Sequence, residues 1–210
     1  MTQVVIFDFD GTIANTLDSI LKLFNEIASD YNLPIIKDSD KEKIRNFSAK
    51  ELVKEYRISP WKLLQLTKDI LPKLKKNIKD ISIVEGMADV FQDLEKLEIK
   101  IGIVTSNSKE NVELFLANQH ISQIDFIHSE KSLFGKGRVL SHLIKEQKLN
   151  KERVVYVGDE VRDIEAARKA GIPVIAVTWG FNSEKRLQQS KPDYLVTNPQ
   201  QILEKVDSRG

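Results

Sequence analysis

Gln3-Val4-Val5-Ile6-Phe7-Asp8-Phe9-Asp10-Gly11-Thr12 is the stretch that decides the fold. Val4, Val5, Ile6 and Phe7 form a short apolar, mostly β-branched run, the pattern of a strand buried on both faces. Two acids, Asp8 and Asp10, close the run, and the carboxyl end of a buried strand is where open α/β sheets bind ligands. Gly11 lets the backbone leave the strand sharply and leaves room for a ligand beside it. A lone Asp-x-Asp after a strand is most often an acidic turn. Asp-Phe-Asp-Gly-Thr is far more specific, and its meaning depends on what the other strand ends carry.

Bulk properties narrow the field around that stretch. A chain of 210 residues can bury a sizeable core as one domain or as one domain with an insert. A hydrophobic content of 41% with 30% charged residues fits a globular protein. The net charge of +1 argues against nonspecific attraction to nucleic acid or anionic membrane. The absence of cysteine excludes disulfides and thiolate metal sites. No basic segment leads into a secretory apolar core, and no apolar run approaches the roughly 20 residues of a membrane span. A cytoplasmic location is the expectation.

After Thr12 the pattern turns helical. Asn15 or Thr16 caps a segment whose Leu17, Ile20, Leu21, Phe24 and Ile27 share one face, and Asn32 and Pro34 end it. Residues 37–58 read as two short helices with Ile44, Phe47, Leu52, Val53 and Tyr56 inward. A longer helix runs from Pro60 to Ile78, with Pro72 expected to break or kink it. Residues 15–80 contain no convincing strand and form an all-helical insert. From Ile81 onward helices and strands alternate. The strands are Lys100–Thr105, Ile124–His128, Arg153–Val157, Val174–Val177 and Tyr194–Val196; the helices are 86–97, 109–117, 135–147, 161–170 and 199–206. Gly171 followed by Pro173 is a helix stop. This alternation predicts a doubly wound α/β core with a parallel sheet.

Three later strand ends carry polar residues able to converge on Asp8 and Asp10. Thr105-Ser106-Asn107 follows a strand and precedes a helix near Lys109, whose amino end suits an anion. Lys136 lies between Gly135 and Gly137 just before another helix. The segment is not a P-loop, since Gly137 stands where Ser or Thr is needed, nor a dinucleotide fingerprint, since Leu140 takes the third glycine position. Gly158-Asp159-Glu160-Val161-Arg162-Asp163 again ends a strand in acids, with Asp159 and Asp163 spaced to share one face of an opening helical turn. Each feature alone is a loop lysine, a helix cap or a dipole partner. Together they make a divalent-metal and phosphate site, whose hard oxygen ligands suit Mg²⁺.

The order of these elements resembles the haloacid dehalogenase superfamily along nearly the whole chain. Asp8-Phe9-Asp10-Gly11-Thr12 is similar to its first motif, Thr105 to its second, Lys136 to its third, and Gly158-Asp159 with Asp163 to its fourth. The helical insert lies where these enzymes carry a helical cap. The division implied is a core of residues 1–14 and 81–210 with a cap of residues 15–80, of the phosphoglycolate-phosphatase type in cap and size. Asn15 departs from the aspartate often found there.

The resemblance implies roles residue by residue. Asp8 attacks phosphorus. Asp10 protonates the leaving oxygen, then activates water, and its carbonyl faces Mg²⁺. Asp8, Asp10, Asp159 and Asp163 form the metal set. Thr105, Ser106, Asn107 and Lys136 hold phosphate. The function implied is Mg²⁺-dependent hydrolysis of a small phosphorylated metabolite through an aspartyl phosphate, by a monomer or a homodimer. A phosphomutase of the β-phosphoglucomutase type shares all four motifs and stays open beside it. A dehalogenase is disfavoured by Asp10 and the phosphate motif. A phospho-accepting module of receiver type is disfavoured by Gly11-Thr12 and the large insert. Elsewhere, His120, His128 and His142 read as surface residues and Arg45 as a solvated helix arginine. Lys73, Lys75, Lys76 and Lys79 read as a solvated face. Trp61 and Trp179 read as packing residues, with Trp179-Gly180-Phe181 in a position to border the site.

Overall fold

The computed structural model describes residues 2–129 and 135–207, without the side chains of residues 49, 50, 71, 75 and 76. Six strands form one sheet: β1 (Val4–Phe7), β2 (Lys100–Thr105), β3 (Phe126–Ser129), β4 (Val154–Gly158), β5 (Val174–Val177) and β6 (Tyr194–Val196). Their order is β3-β2-β1-β4-β5-β6, and every neighbouring pair is parallel. β3 begins at Phe126 rather than at Ile124. The doubly wound α/β expectation is borne out.

The reason lies in β1, where all four residues are buried. Side chains alternate across a strand, so a run that is apolar at every position needs cover on both faces. Val5 and Phe7 enter one layer with Ile101, Ile103, Val155 and Val157, beneath α5 (Met87–Lys96), α6 (Lys109–Asn118) and α10 (Gln200–Asp207). Val4 and Ile6 enter the other with Val104 and Tyr156, beneath α7 (Lys136–Glu146) and α8 (Val161–Ala170). β1 pairs with β2 on one side and β4 on the other, Val5 facing both Ile101 and Val155. The winding reverses between β1 and β4, and the crevice at such a reversal is the usual ligand site of this architecture.

Residues 15–80 leave the sheet and return to it at one place. The Asn15 amide donates to the Ser82 carbonyl at 2.9 Å, and the Val84 amide to the Ile13 carbonyl at 2.8 Å, so the outgoing and returning chains run side by side. Between them lie α1 (Thr16–Ile27), a 3₁₀ turn to Tyr31, α2 (Asp38–Arg45), α3 (Ala49–Glu55), α4 (Pro60–Lys76) and a second 3₁₀ turn. Asn32 closes the first helical stretch in a left-handed conformation. Asn15 occupies the cap position of α1, but its side chain makes no capping bond. Ile27, Ala28, Leu33 and Leu66 form a small cluster of their own, whereas Leu23, Leu74 and Ile78 join the main core.

Four expectations need correction. Pro72 does not break α4, which continues to Lys76; the buried Leu66 and Leu74 on either side supply the packing that carries the helix past a missing donor. Trp61 is 69% exposed rather than packed. A short helix, α9 (Glu184–Gln189), appears where none was expected, started by Ser183 accepting from the Arg186 amide. Arg45 is not solvated, as described below. His120 and His142 are exposed, while His128 is half-buried with its ring edge-on to Phe126. Lys73 and Lys79 are exposed; the side chains of Lys75 and Lys76 lie outside the described residues.

Candidate active site

Phe9 separates the two acids of the first motif and faces away from them. Its ring is fully buried, edge-on to Phe115 at 5.0 Å. Burial of such a ring is worth on the order of 3 kcal/mol, so it fixes the backbone from which Asp8 and Asp10 project. The Asp8 amide continues the β1–β4 ladder by donating to the Val157 carbonyl at 2.8 Å. Asp8 Oδ1 accepts from the Phe9 amide at 2.7 Å. Gly11 follows with φ of 78°, and a Cβ there would collide with Asp159. That conformation and that close approach both require glycine.

The end of β4 supplies the opposing wall. Asp159 is buried; its Oδ1 accepts from the Thr12 hydroxyl and its Oδ2 from the Phe181 amide, both at 2.7 Å. Asp163, in the first turn of α8, accepts from the Glu160 amide at 3.0 Å. Lys136, the first residue of α7, reaches across with its ammonium. Its Nζ donates to Asp163 Oδ1 at 2.7 Å and lies 2.5 Å from Asp8 Oδ2. Among the described residues Asp8 Oδ2 receives no aligned hydrogen bond, so this last contact is an ion pair by distance. The Tyr156 hydroxyl lies 3.4 Å from Asp163 Oδ1 and 3.3 Å from the Val104 carbonyl. Oxygens of Asp8, Asp159 and Asp163 lie within 4.8 Å of one another.

The end of β2 supplies the third part. Thr105 is buried, and its hydroxyl accepts from the Asn107 amide at 3.0 Å. Ser106 is half-buried beside them. The Asn107 side chain lies 3.2 Å from each carboxylate oxygen of Asp10. Its backbone carbonyl accepts from the Ser129 hydroxyl at 2.6 Å.

Electrostatics follow from putting these acids out of water. Burial raises the Asp8 pKa; Lys136 opposes the rise and Asp163 adds to it. Burial, with Asp8 adding, pushes Asp10 up to about 6 against the Asn107 contact. Burial and the charges of Glu160, Asp163 and Asp8 hold Asp159 well above the carboxylate range. Burial pushes Glu160 up to about 7, with Arg162 opposing. Burial disfavours the Lys136 charge, but Asp163 and Asp8 outweigh it and raise its pKa. Asp8 and Asp163 therefore share one buried ammonium, and among the described residues the buried Asp159 beside them has none. A surplus of negative charge on hard oxygen ligands is what a divalent cation neutralises, so this donor set fits Mg²⁺.

The family profile described as haloacid dehalogenase-like hydrolase matches residues 5–177. The chain belongs to that family. A phosphoglycolate phosphatase of Synechococcus elongatus is 34% identical over 205 residues, 97% of each chain. The pyrophosphatase PpaX of Bacillus thuringiensis is 27% identical, covering 96% of this chain and 94% of its own. In fold, a haloacid dehalogenase-like hydrolase from Streptococcus pneumoniae superposes with a TM-score of 0.82 at 21% identity, over 97% of this chain and 98% of that one. The family reading and the hydrolase assignment made from the motifs are borne out.

Within this haloacid dehalogenase-like site, Lys136 joins Asp8 and Asp163 directly, Asp159 offers an oxygen within 4.8 Å of theirs, and Asp10 and Asn107 form a second pair. Some participants were only partly legible in the sequence. Tyr156 read only as a strand residue. The loop after β5 reaches back to the site, Trp179 donating its ring N–H to the Thr12 carbonyl at 3.1 Å and Phe181 its amide to Asp159. Its one legible signal was its position after a strand. Arg45, in α2, bonds to that same loop, 133 to 137 residues away.

Proposed function

We propose that the protein is a Mg²⁺-dependent phosphatase that hydrolyses a small phosphate monoester through an aspartyl phosphate on Asp8. One observation carries the reading. Asp8 is oriented by the Phe9 amide and by Lys136, two residues from a carboxyl whose pKa is pushed up to about 6. A fixed nucleophile beside an acid that exchanges its proton near neutrality is what a two-step displacement needs. The substrate class is supported by the phosphoglycolate phosphatase relative, whose named substrate is a small phosphate monoester.

Asp8 attacks phosphorus, and Asp10 gives its proton to the departing oxygen. In the second step Asp10, now ionised, takes a proton from water, which displaces the phosphate from Asp8. Lys136 offsets the repulsion between carboxylate and phosphate and holds Asp8 in line. Thr105, Ser106 and Asn107 provide donors for the transferred phosphate. Asp8, Asp159, Asp163 and the Asp10 carbonyl would hold Mg²⁺, which neutralises charge on the transferred group. Residues 15–80 act as a cap on the core of residues 1–14 and 81–210, excluding water and selecting the substrate. Such an enzyme works in the cytoplasm on free metabolites; among the described residues no helix is long and apolar enough to cross a membrane.

The test is phosphate release from phosphoglycolate, pyrophosphate and sugar phosphates, with Mg²⁺ against excess chelator. Turnover of a monoester that stops with chelator and returns with Mg²⁺ is expected. Full turnover in chelator sinks the assignment, and an isomerised sugar phosphate without release assigns a mutase.

A further inference from the structure

We propose that Arg45, from the helical insert, is a positioning residue for Asp159, acting through the loop of residues 178–182. The guanidinium of Arg45 donates from Nε to the Gly180 carbonyl at 2.8 Å and from Nη2 to the Asn182 carbonyl at 3.2 Å and the Thr178 carbonyl. Three carbonyls within five residues thus curl around one planar cation, a task that suits the fixed fork of arginine. Nη1 pairs with Glu42 at 2.8 Å, and the Arg45 side chain is only 15% exposed. The decisive link is one peptide group. The Gly180 carbonyl that Arg45 holds and the Phe181 amide that donates to Asp159 Oδ2 belong to the same planar unit. In a trans peptide these two groups point in opposite directions, so gripping the oxygen aims the N–H at the carboxylate. Drawing charge toward the oxygen also strengthens the donor. Gly180 permits the approach, because a Cβ there would overlap Asp159. The insert thereby helps to orient an acid that the sequence places at the end of β4.

This link rests on the metal reading above only where Asp159 is taken as a ligand. Two measurements on the intact, substrate-free protein test it: amide hydrogen exchange at Phe181 without metal, and the calorimetric affinity for Mg²⁺. Arg45→Ala is expected to lower Phe181 protection and to weaken Mg²⁺ binding on the order of 10-fold, the usual effect of losing a group that orients a ligand. Arg45→Lys should fall between, one ammonium being unable to span three carbonyls. Glu42→Gln and Arg186→Ala should leave both readouts near wild type. Arg186 bonds the Asn46 carbonyl and Glu51 without touching the Gly180–Phe181 peptide. Unchanged Phe181 protection in Arg45→Ala, or in Arg45→Lys if the alanine variant does not fold, overturns the proposal. Equal losses in Arg186→Ala also overturn it, because the effect then belongs to insert docking in general. A wild-type protein that binds no Mg²⁺ defeats the metal reading instead, and Phe181 exchange still decides the Arg45 link.

Discussion

The side-chain amide of Asn107 lies 3.2 Å from both carboxylate oxygens of Asp10, tying the ends of β2 and β1 together across the site. Hydrogen bonds to a carboxylate favour its charged form, so this contact opposes the burial that pushes Asp10 up to about 6. Asn107→Ala should therefore raise the Asp10 pKa further. With an activated ester, whose leaving group needs no proton, turnover depends on ionised Asp10. The acid limb of the kcat profile should then move to higher pH by about one unit. An unmoved limb would show that Asn107 does not tune Asp10.

Asp8 and Asp10 should separate by trapping. Asp8→Asn lacks the nucleophile and should give no turnover and no phosphoenzyme. Asp10→Asn should lose roughly 10²–10⁴-fold in rate, yet still accumulate an aspartyl phosphate from an activated ester. Intact-mass measurement after acid quench reads the difference. An adduct on Asp8→Asn and none on Asp10→Asn would exchange the two roles.

The raised carboxyls make metal-free stability depend on pH. Asp10 at about 6 and Glu160 at about 7 hold protons in the fold that the unfolded chain has already released. Their contribution is fully present below the unfolded values near pH 4 and is lost as pH rises to about 7. The thermal midpoint without metal should therefore be lower at pH 8 than at pH 5.5. Mg²⁺ needs ionised ligands and should raise the midpoint more at pH 8 than at pH 5.5. Calorimetry showing an equal or reversed Mg²⁺ effect contradicts the buried acidic site.

Ile78 lies in the insert by sequence but is 1% exposed in the main core cluster with Val90 and Phe115. Ile78→Ala should cost about 2–5 kcal/mol in urea unfolding, while kcat stays near wild type because the change removes only core hydrocarbon and none of the polar groups of the site. A loss below about 1 kcal/mol would mean the returning end of the insert is not anchored in the core.

Much of this was legible in local pattern. Four buried apolar positions ending in Asp8 and Asp10, and a second apolar run ending in Gly158-Asp159, specify central strands and the acids at their ends, because strand periodicity and turn chemistry are local. Gly171 as a helix stop and Asn32 as a terminator are local too, each set by a left-handed backbone. Local pattern misjudged Trp61, whose apolar character did not guarantee cover, and Pro72, whose penalty was outweighed by packing on both sides.

Chain path decided the rest. That Lys136 bridges Asp8 and Asp163 and that Asn107 holds Asp10 both follow from the order β3-β2-β1-β4. Parallel pairing brings those strand ends to one edge, and no spacing along the sequence encodes it. Arg45 is the clearest case. By sequence it is one cation on a polar helix, since helical periodicity reports only on neighbours a turn away. Only the folded chain sets α2 against the loop after β5. There the carbonyls of Thr178, Gly180 and Asn182 accept from Arg45 in place of the water it would otherwise keep.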